Sequence, residues 1–494
     1  MGTAMDTAMV QRIRINKSCL ILLVLWFMRY SYAADVVVTP RIESKFTYTD
    51  NVNLTSEDKR SSNITSLIAG LKLKSDGNNG NLSLDYQIEQ LLYSYDSDKD
   101  KLYNKLSFSA DKGLFSKINL RGKAIASVSN VARSIKENAN TDVSTENTIE
   151  SRNVGVGLSY QSNPSGVMDL LASIDSSLTD NEDSVGDNTT YTGQIVSKQG
   201  RAVKKYFWSV DYDYKATVGK EDEKSTGSSE LDQKFGLQPV NRFSPLVHLY
   251  YEEYSGQTDD DSADSSSWGP GVRYYIDKRS YIELGYDFVL DGDNSDFWRG
   301  GVHLNPSEKT VLDFNYTKRF YGNAYAFSLT HKTRRLTNSI FYVEEVTNYN
   351  RELYVEGSQI EQLTISKKLS WLSSLALRRT TVNLEVSSEK QKSMNSLSIQ
   401  SANVDKYSSK LSLEHHLTRQ TTLSPGFEFE SYDFYNQGQI TQEDYYRNWS
   451  IAFTKNFASD LSMNLDLSYK DRSSTNSNDA YQESRISINI RKEL

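Results

Sequence analysis

The chain has 494 residues, among them 32 Tyr and 18 Phe but only 7 Pro and 1 Cys, and carries a formal net charge of −8 from 56 basic and 64 acidic side chains. That balance gives no basic surface for nucleic acid, and the low mean hydropathy excludes a multi-helix membrane protein without excluding a barrel, whose inner face is polar. Length alone would suggest several domains, yet no shift of composition marks a boundary.

The first element in chain order is the apolar run Cys19–Met28, preceded by Arg12, Arg14 and Lys17 and followed by the small-x-small triplet Ser31-Tyr32-Ala33. This is the layout of a secretory signal peptide, and ten apolar residues fall short of the roughly 20 that a spanning helix needs. The expected division is therefore a signal peptide at 1–33 and one exported unit at 34–494. Cleavage after Ala33 removes Cys19, and with it disulfide and thiol chemistry.

The mature chain opens with Asp35-Val36-Val37-Val38 and a first strand carrying Ile42, Phe46 and Tyr48. Three short motifs follow in order: Thr39-Pro40-Arg41, Tyr48-Thr49-Asp50-Asn51-Val52, and Ser62-Asn63-Ile64 leading into Leu67-Ile68-Ala69-Gly70-Leu71. In these motifs the chain resembles the PEP-CTERM/exopolysaccharide-associated outer-membrane β-barrel proteins, which are related to the porin-2 barrels. The resemblance implies a Gram-negative outer-membrane barrel and a role in exopolysaccharide passage, with polysaccharide-export components as partners.

Beyond these motifs the connections alternate in length. Tight turns are predicted at 76–80, 113–116, 163–166, 200–204, 240–244, 277–280, 305–308, 333–336, 371–374, 418–420 and 457–460. Longer polar loops are predicted at 129–150, 179–188, 219–228, 256–267, 388–404 and 435–443. Asn163-Pro164-Ser165-Gly166 and Asn305-Pro306-Ser307-Glu308 are turn formers by mechanism, because Pro presets φ and Asn bonds its own backbone. Outer-membrane barrels pair short periplasmic turns with long outer loops. Following that rhythm predicts an antiparallel up-and-down transmembrane β-barrel of about 24 strands (22–26), with both termini periplasmic. The segment 349–359 fits no strand cleanly, and the short link 321–324 breaks the long-loop pattern.

Within the strands every second residue is apolar. Tyr206, Trp208, Val210, Tyr212 and Tyr214 alternate with Ser209, Asp211, Asp213 and Lys215; Leu312, Phe314 and Tyr316 alternate with Asp313 and Asn315. The last hairpin, Leu461 to Ile490, shows the same pattern in both arms. Successive strand side chains point to opposite faces, so a slip of one residue would turn several carboxylates toward lipid. Tyr48, Tyr95, Tyr160, Trp268, Tyr286, Trp298, Tyr321, Trp371 and Tyr469 are the predicted interfacial aromatics.

No motif for catalysis, metal or cofactor emerges. His248, His303, His331, His415 and His416 lack the nucleophile-base-orienter constellation that covalent catalysis requires. The acidic runs Asp180–Asp187 and Asp259-Asp260-Asp261 with Asp264 have the chemistry to bind divalent cations, but they lack calcium-loop spacing, and solvated outer loops are the favoured reading.

The residues predicted to line the lumen are Asp211, Asp213, Lys215, Asp313, Glu428, Glu430, Asp466, Lys470, Arg485 and Arg491. Mixed charges of this kind suit polar solutes without steep ion selectivity. A barrel this wide is commonly plugged. No plug-like segment precedes Ile42, so inward-folded loops are expected to narrow it, 129–150 being the longest candidate. The expected function is passage of polysaccharide or other polar solutes, the alternatives being a general diffusion porin or an adhesive barrel with a closed lumen. The expected partners are outer-membrane lipid and, through the C-terminal strand, the barrel-assembly machinery. Neither enzymatic activity nor a cofactor is expected.

Overall fold

A computed structural model describes residues 36–494 except 116–117, 134–147, 220–224, 257–261, 348–362, 395–402, 437 and 458–459. The signal segment, most of the 129–150 loop, Asp259–Asp261 and the segment 349–359 lie outside the described residues. The first eight strands are β1 (Val36–Thr49), β2 (Ser62–Gly77), β3 (Gly80–Tyr93), β4 (Lys101–Phe115), β5 (Leu120–Ala132), β6 (Thr148–Gln161), β7 (Met168–Asn181) and β8 (Asn188–Gln199). Next come β9 (Tyr206–Gly219), β10 (Ser225–Leu237), β11 (Phe243–Ser255), β12 (Ser262–Tyr275), β13 (Tyr281–Asp291), β14 (Phe297–Ser307), β15 (Thr310–Arg319) and β16 (Gly322–Lys332). The set ends with β17 (Leu336–Thr347), β18 (Thr364–Ala376), β19 (Thr380–Ser393), β20 (Asn403–His416), β21 (Thr421–Asn436), β22 (Gln439–Asn456), β23 (Leu461–Ser474) and β24 (Tyr481–Glu493).

Each strand pairs antiparallel with its sequence neighbours in one 24-stranded sheet. The sheet closes where β1 meets β24, from Arg41 opposite Glu493 to Thr49 opposite Arg485. Closure removes both sheet edges, and the amide of Leu494 donates to the carbonyl of Pro40 at 2.9 Å. The two ends of the barrel chain therefore sit together at the short-turn end.

The alternation read from the sequence becomes two faces. On β24, Ile486, Ile488 and Ile490 are 47, 40 and 44% exposed, whereas Arg485 and Ser487, on the alternate positions, are buried. Exposure of large apolar side chains right around a closed wall suits a lipid solvent and no aqueous one. The apolar zone has a sharp upper limit. Phe427 and Trp449 pack outward with ring centroids 4.2 Å apart, and Tyr469 lies beside Trp449 in the ladder. Immediately above them Arg447 and Asp471 form an outward ion pair at 2.7 Å. Strands of 14 residues or so exceed the 9–11 that a tilted strand needs to cross a bilayer, so the wall continues past the lipid on the loop side.

Ile488→Arg is expected to destabilise the barrel by roughly 2–4 kcal/mol, the cost of a basic side chain near the bilayer midplane. Asn489→Arg, on the opposite face, is expected to change little. Urea unfolding in lipid bilayers measures both.

Several connections differ from expectation. The 371–374 turn lies inside β18, and the chain reverses at 377–379 instead; Trp371 is an exposed strand residue paired with Ile340 and Val386. Asn305-Pro306-Ser307 stays in β14, where Pro306 is accommodated by a register shift between Leu304 and Ser307, as a residue without an N–H requires. The 435–443 loop is a tight hairpin pairing Asn436 with Gln439, made possible by Gly438 at φ +79. The 256–267 loop ends early, because β12 begins at Ser262. The 277–280 turn forms as expected: the amides of Arg279 and Ser280 donate to the Asp277 carboxylate at 2.7 and 2.8 Å, which holds its pKa below the usual range.

Candidate functional site: a partly filled lumen

The ten residues predicted to line the lumen all fall on the face opposite the exposed apolar side chains, but they are spread around the wall and form no single cluster. On β9, Asp211 stands opposite Asp232, Asp213 opposite Glu230, and Lys215 opposite Ser228; Gln194 donates to Asp213 at 3.0 Å. Asp313 is 2.5 Å from His303 Nδ1. Lys410 and Lys406 each approach a β21 carboxylate at 3.4 Å, Glu428 and Glu430 respectively. Asn464 donates to Asp466 at 2.6 Å. In the ladder Lys470 faces Glu483 and Arg485 faces Ser468. Arg491, near the short-turn end, pairs with Glu493.

What the alternation could not reveal is how much of the interior is filled. Along β10–β14 the inward side chains interlock. His248 is 2.8 Å from Asp287 and 3.5 Å from Asp232. Arg299 bonds both Asp287 and Glu283, and Glu283 also receives Arg273 at 2.7 Å and Lys234 at 3.1 Å. A buried carboxylate persists only when paired and hydrogen-bonded, and here each is. The His248–Asp287 pair belongs to this structural network.

The β15–β16 hairpin departs from the wall. Its highest rung to β14 is Tyr316 opposite Gly300, and its highest rung to β17 is Phe327 opposite Tyr342. The tip, Thr317–Ala326, has ladder rungs within its own hairpin alone. Arg319 donates from Nε to Glu252 and from Nη2 to Glu230, both at 2.9 Å, and the Phe320 amide donates to Glu252 at 2.8 Å. Phe320 packs on Tyr254 with ring centroids 5.1 Å apart. Glu230, Glu252 and Tyr254 are inward residues of β10 and β11, so the tip lies inside the barrel against that wall. Beside it is a cavity of about 560 Å³, lined among others by Asp175, Gln194, Asp213, Lys215, Arg319 and Glu345. Tyr321, expected at the interface, is thereby drawn inward near Lys367, whose Nζ lies 5.0 Å from its ring.

The connection after β1 also folds inward. Val52 and Leu54 are fully buried against Ile64, Leu91, Tyr93, Tyr103 and Tyr481, with Tyr95 packed on the same cluster. Tyr95 is thus a second expected interfacial aromatic that turns in. Asn51, fully buried, donates to the carbonyls of Thr55 at 2.7 Å and Gln482 at 2.8 Å, and accepts from the Thr55 amide. Thr49 donates to Glu483 at 2.7 Å. The Tyr-Thr-Asp-Asn motif therefore fastens β1 to β24 and holds the loop in the barrel mouth.

The remaining polar groups offer little chemistry. His331, His415 and His416 bond threonine hydroxyls. In the acidic 182–187 loop Asp187 and Asp183 accept from the amides of Asn181 and Val185, so its carboxylates hold their own backbone. Among the described residues no cluster of metal-ligating side chains occurs.

Residues 356–494 match the family model described as "Putative beta-barrel porin 2". This match supports a β-barrel porin family. Together with the closed, lipid-facing wall it points to the outer membrane. No curated protein matches the chain. Among solved structures, the FrpB iron transporter of Neisseria meningitidis (F3-3 variant) is 9% identical, with 92% of this chain and 81% of that one covered and a TM-score of 0.46. The open form of the ferric-catecholate import receptor Fiu of E. coli K12 is 8% identical, with the same coverage and a TM-score of 0.49. A loop L8 deletion mutant of OmpT, an outer membrane protein of Vibrio cholerae, is 11% identical over 94% of this chain and all of that one, with a TM-score of 0.33. Similarities this low carry no argument about what passes through this barrel.

Proposed function

We propose that the protein is an outer-membrane channel, with both termini periplasmic, that passes polar solutes. The solute class is polysaccharide of an exopolysaccharide system, which rests on the motifs between Thr39 and Leu71. The observation that carries the channel reading is the lumen itself: a closed wall with charged and hydrogen-bonding side chains inside, and a polar cavity of about 560 Å³ beside the inward hairpin. Asp211, Asp213, Lys215, Asp313, Glu428, Glu430, Asp466, Lys470, Arg485 and Arg491 are the residues proposed to face the solute. Their carboxylates and cations exchange hydrogen bonds with water and with hydroxyl groups at little net cost. The role is non-enzymatic and needs no cofactor. Export components are proposed as periplasmic partners, and the barrel-assembly machinery is proposed to engage the C-terminal strand.

In planar bilayers the purified barrel is expected to conduct, and soluble acidic or neutral oligosaccharides are expected to reduce that conductance. A conductance indifferent to oligosaccharides would favour a general diffusion porin. No conductance at all would favour a closed adhesive barrel, the reading that the two inward-folded connections otherwise support.

A further inference from the structure

The geometry points to the β15–β16 hairpin tip as the constriction that fixes the size of solute able to pass, with Arg319 as the residue that pins it; this rests on the channel reading above. Ladder hydrogen bonds cannot hold the tip in place, since Thr317–Ala326 has no rung to β14 or β17. What holds it is side-chain chemistry centred on Arg319 and Phe320, with Lys318 reaching Ser295 and Tyr321 lying beside Lys367. Arg319 spans Glu230 on β10 and Glu252 on β11, donates to the Tyr254 hydroxyl oxygen, and reaches the Glu344 carbonyl at 3.4 Å.

Glu230 and Glu252 stand directly opposite each other in the ladder, and Asp213 stands opposite Glu230. Like charges placed so are destabilising. The β9–β11 wall is therefore an acidic strip for which the hairpin supplies the counter-charge. Several features show that the tip is built to sit there. Its link is only two residues long, with Gly322 at φ +102 making the reversal tight. Phe320 fills the space over Tyr254. Asn294 donates to the Arg319 carbonyl at 2.7 Å, from the neighbouring connection. Bending one hairpin out of the wall and into the interior narrows the passage at that level.

The test is polymer exclusion with single-channel conductance, comparing wild type, Arg319→Gln, and the triple variant Arg319→Gln/Glu230→Gln/Glu252→Gln. The triple variant removes the repulsion that the single one exposes, and heat-modifiability gels report folding of each. Both variants are expected to conduct at least twofold more than wild type and to admit neutral polyethylene glycols of larger hydrodynamic radius. If wild type conducts and the folded variants keep its conductance and polymer cut-off, this inference fails while the channel reading stands. If wild type is silent and the variants conduct, the tip closes the lumen and the inference holds. Silence from all three overturns both.

Discussion

Arg472→Met is expected to destabilise the barrel by about 3–5 kcal/mol, the typical penalty for breaking a buried pair from one side. Arg472 is 2% exposed and Asp444 fully buried, and their contact is 2.6 Å. The guanidinium also lies 4.9 Å from the Tyr446 ring, and Asp479 is 4.0 Å away. Taking the cation away leaves the Asp444 carboxylate buried without its counter-charge, with Gln442 still donating to it. The double variant Arg472→Met/Asp444→Leu is expected to recover most of the loss, because replacing both partners by apolar groups is often neutral. Urea titration followed by tryptophan fluorescence in bilayers reads both. Equal destabilisation in single and double variants would show that shape, not charge, holds this site.

The second large effect is expected at Asn51. Its side chain satisfies two carbonyls and one amide through part-buried bonds, and Asn51→Ala removes all three. Each orphaned group costs roughly 1–3 kcal/mol, so a loss on the order of 3 kcal/mol is expected. Asn51→Asp separates hydrogen bonding from shape. It keeps the acceptor for Thr55 but has no donor for the Thr55 and Gln482 carbonyls, and it places a charge near Glu483. It is expected to be at least as damaging as Ala. Thermal loss of the heat-modified gel shift ranks the three proteins. An Asp variant as stable as wild type would mean that the loop does not depend on this bonding.

The fold was legible because its signal repeats. Alternating residues such as Tyr206 to Lys215 and Leu461 to Tyr469 specify both a strand and its register, and many such segments joined by alternating connections specify a closed wall. Individual turns were less legible. Trp371-Leu372-Ser373-Ser374 and Asn305-Pro306-Ser307 have local turn chemistry that ladder pairing overrides, the first in β18 and the second through a bulge in β14.

The interior was the hardest part to read. Periodicity tells which side a residue faces and nothing about what lies across from it. Arg319 carries no motif of its own and stands beside the link at 321–324, which is too short for the long-loop pattern. The usable signal was that an Arg-Phe-Tyr-Gly link, basic and aromatic, is a poor candidate for a solvated outer loop. Asn51 was noticed as part of a motif, and only its buried bonding gives the motif a physical reason.

The fastening between Thr49, Asn51 and the last strand joins residues more than 430 positions apart. Contacts so distant along the chain form late, since the entropy of gathering everything between them comes first. Until they form, β1 and β24 are two raw margins with unpaired amides, each able to template a stranger. The side-chain clasp therefore marks the final act of folding, and any nascent form of this cylinder is a sheet that must be shielded along two borders at once.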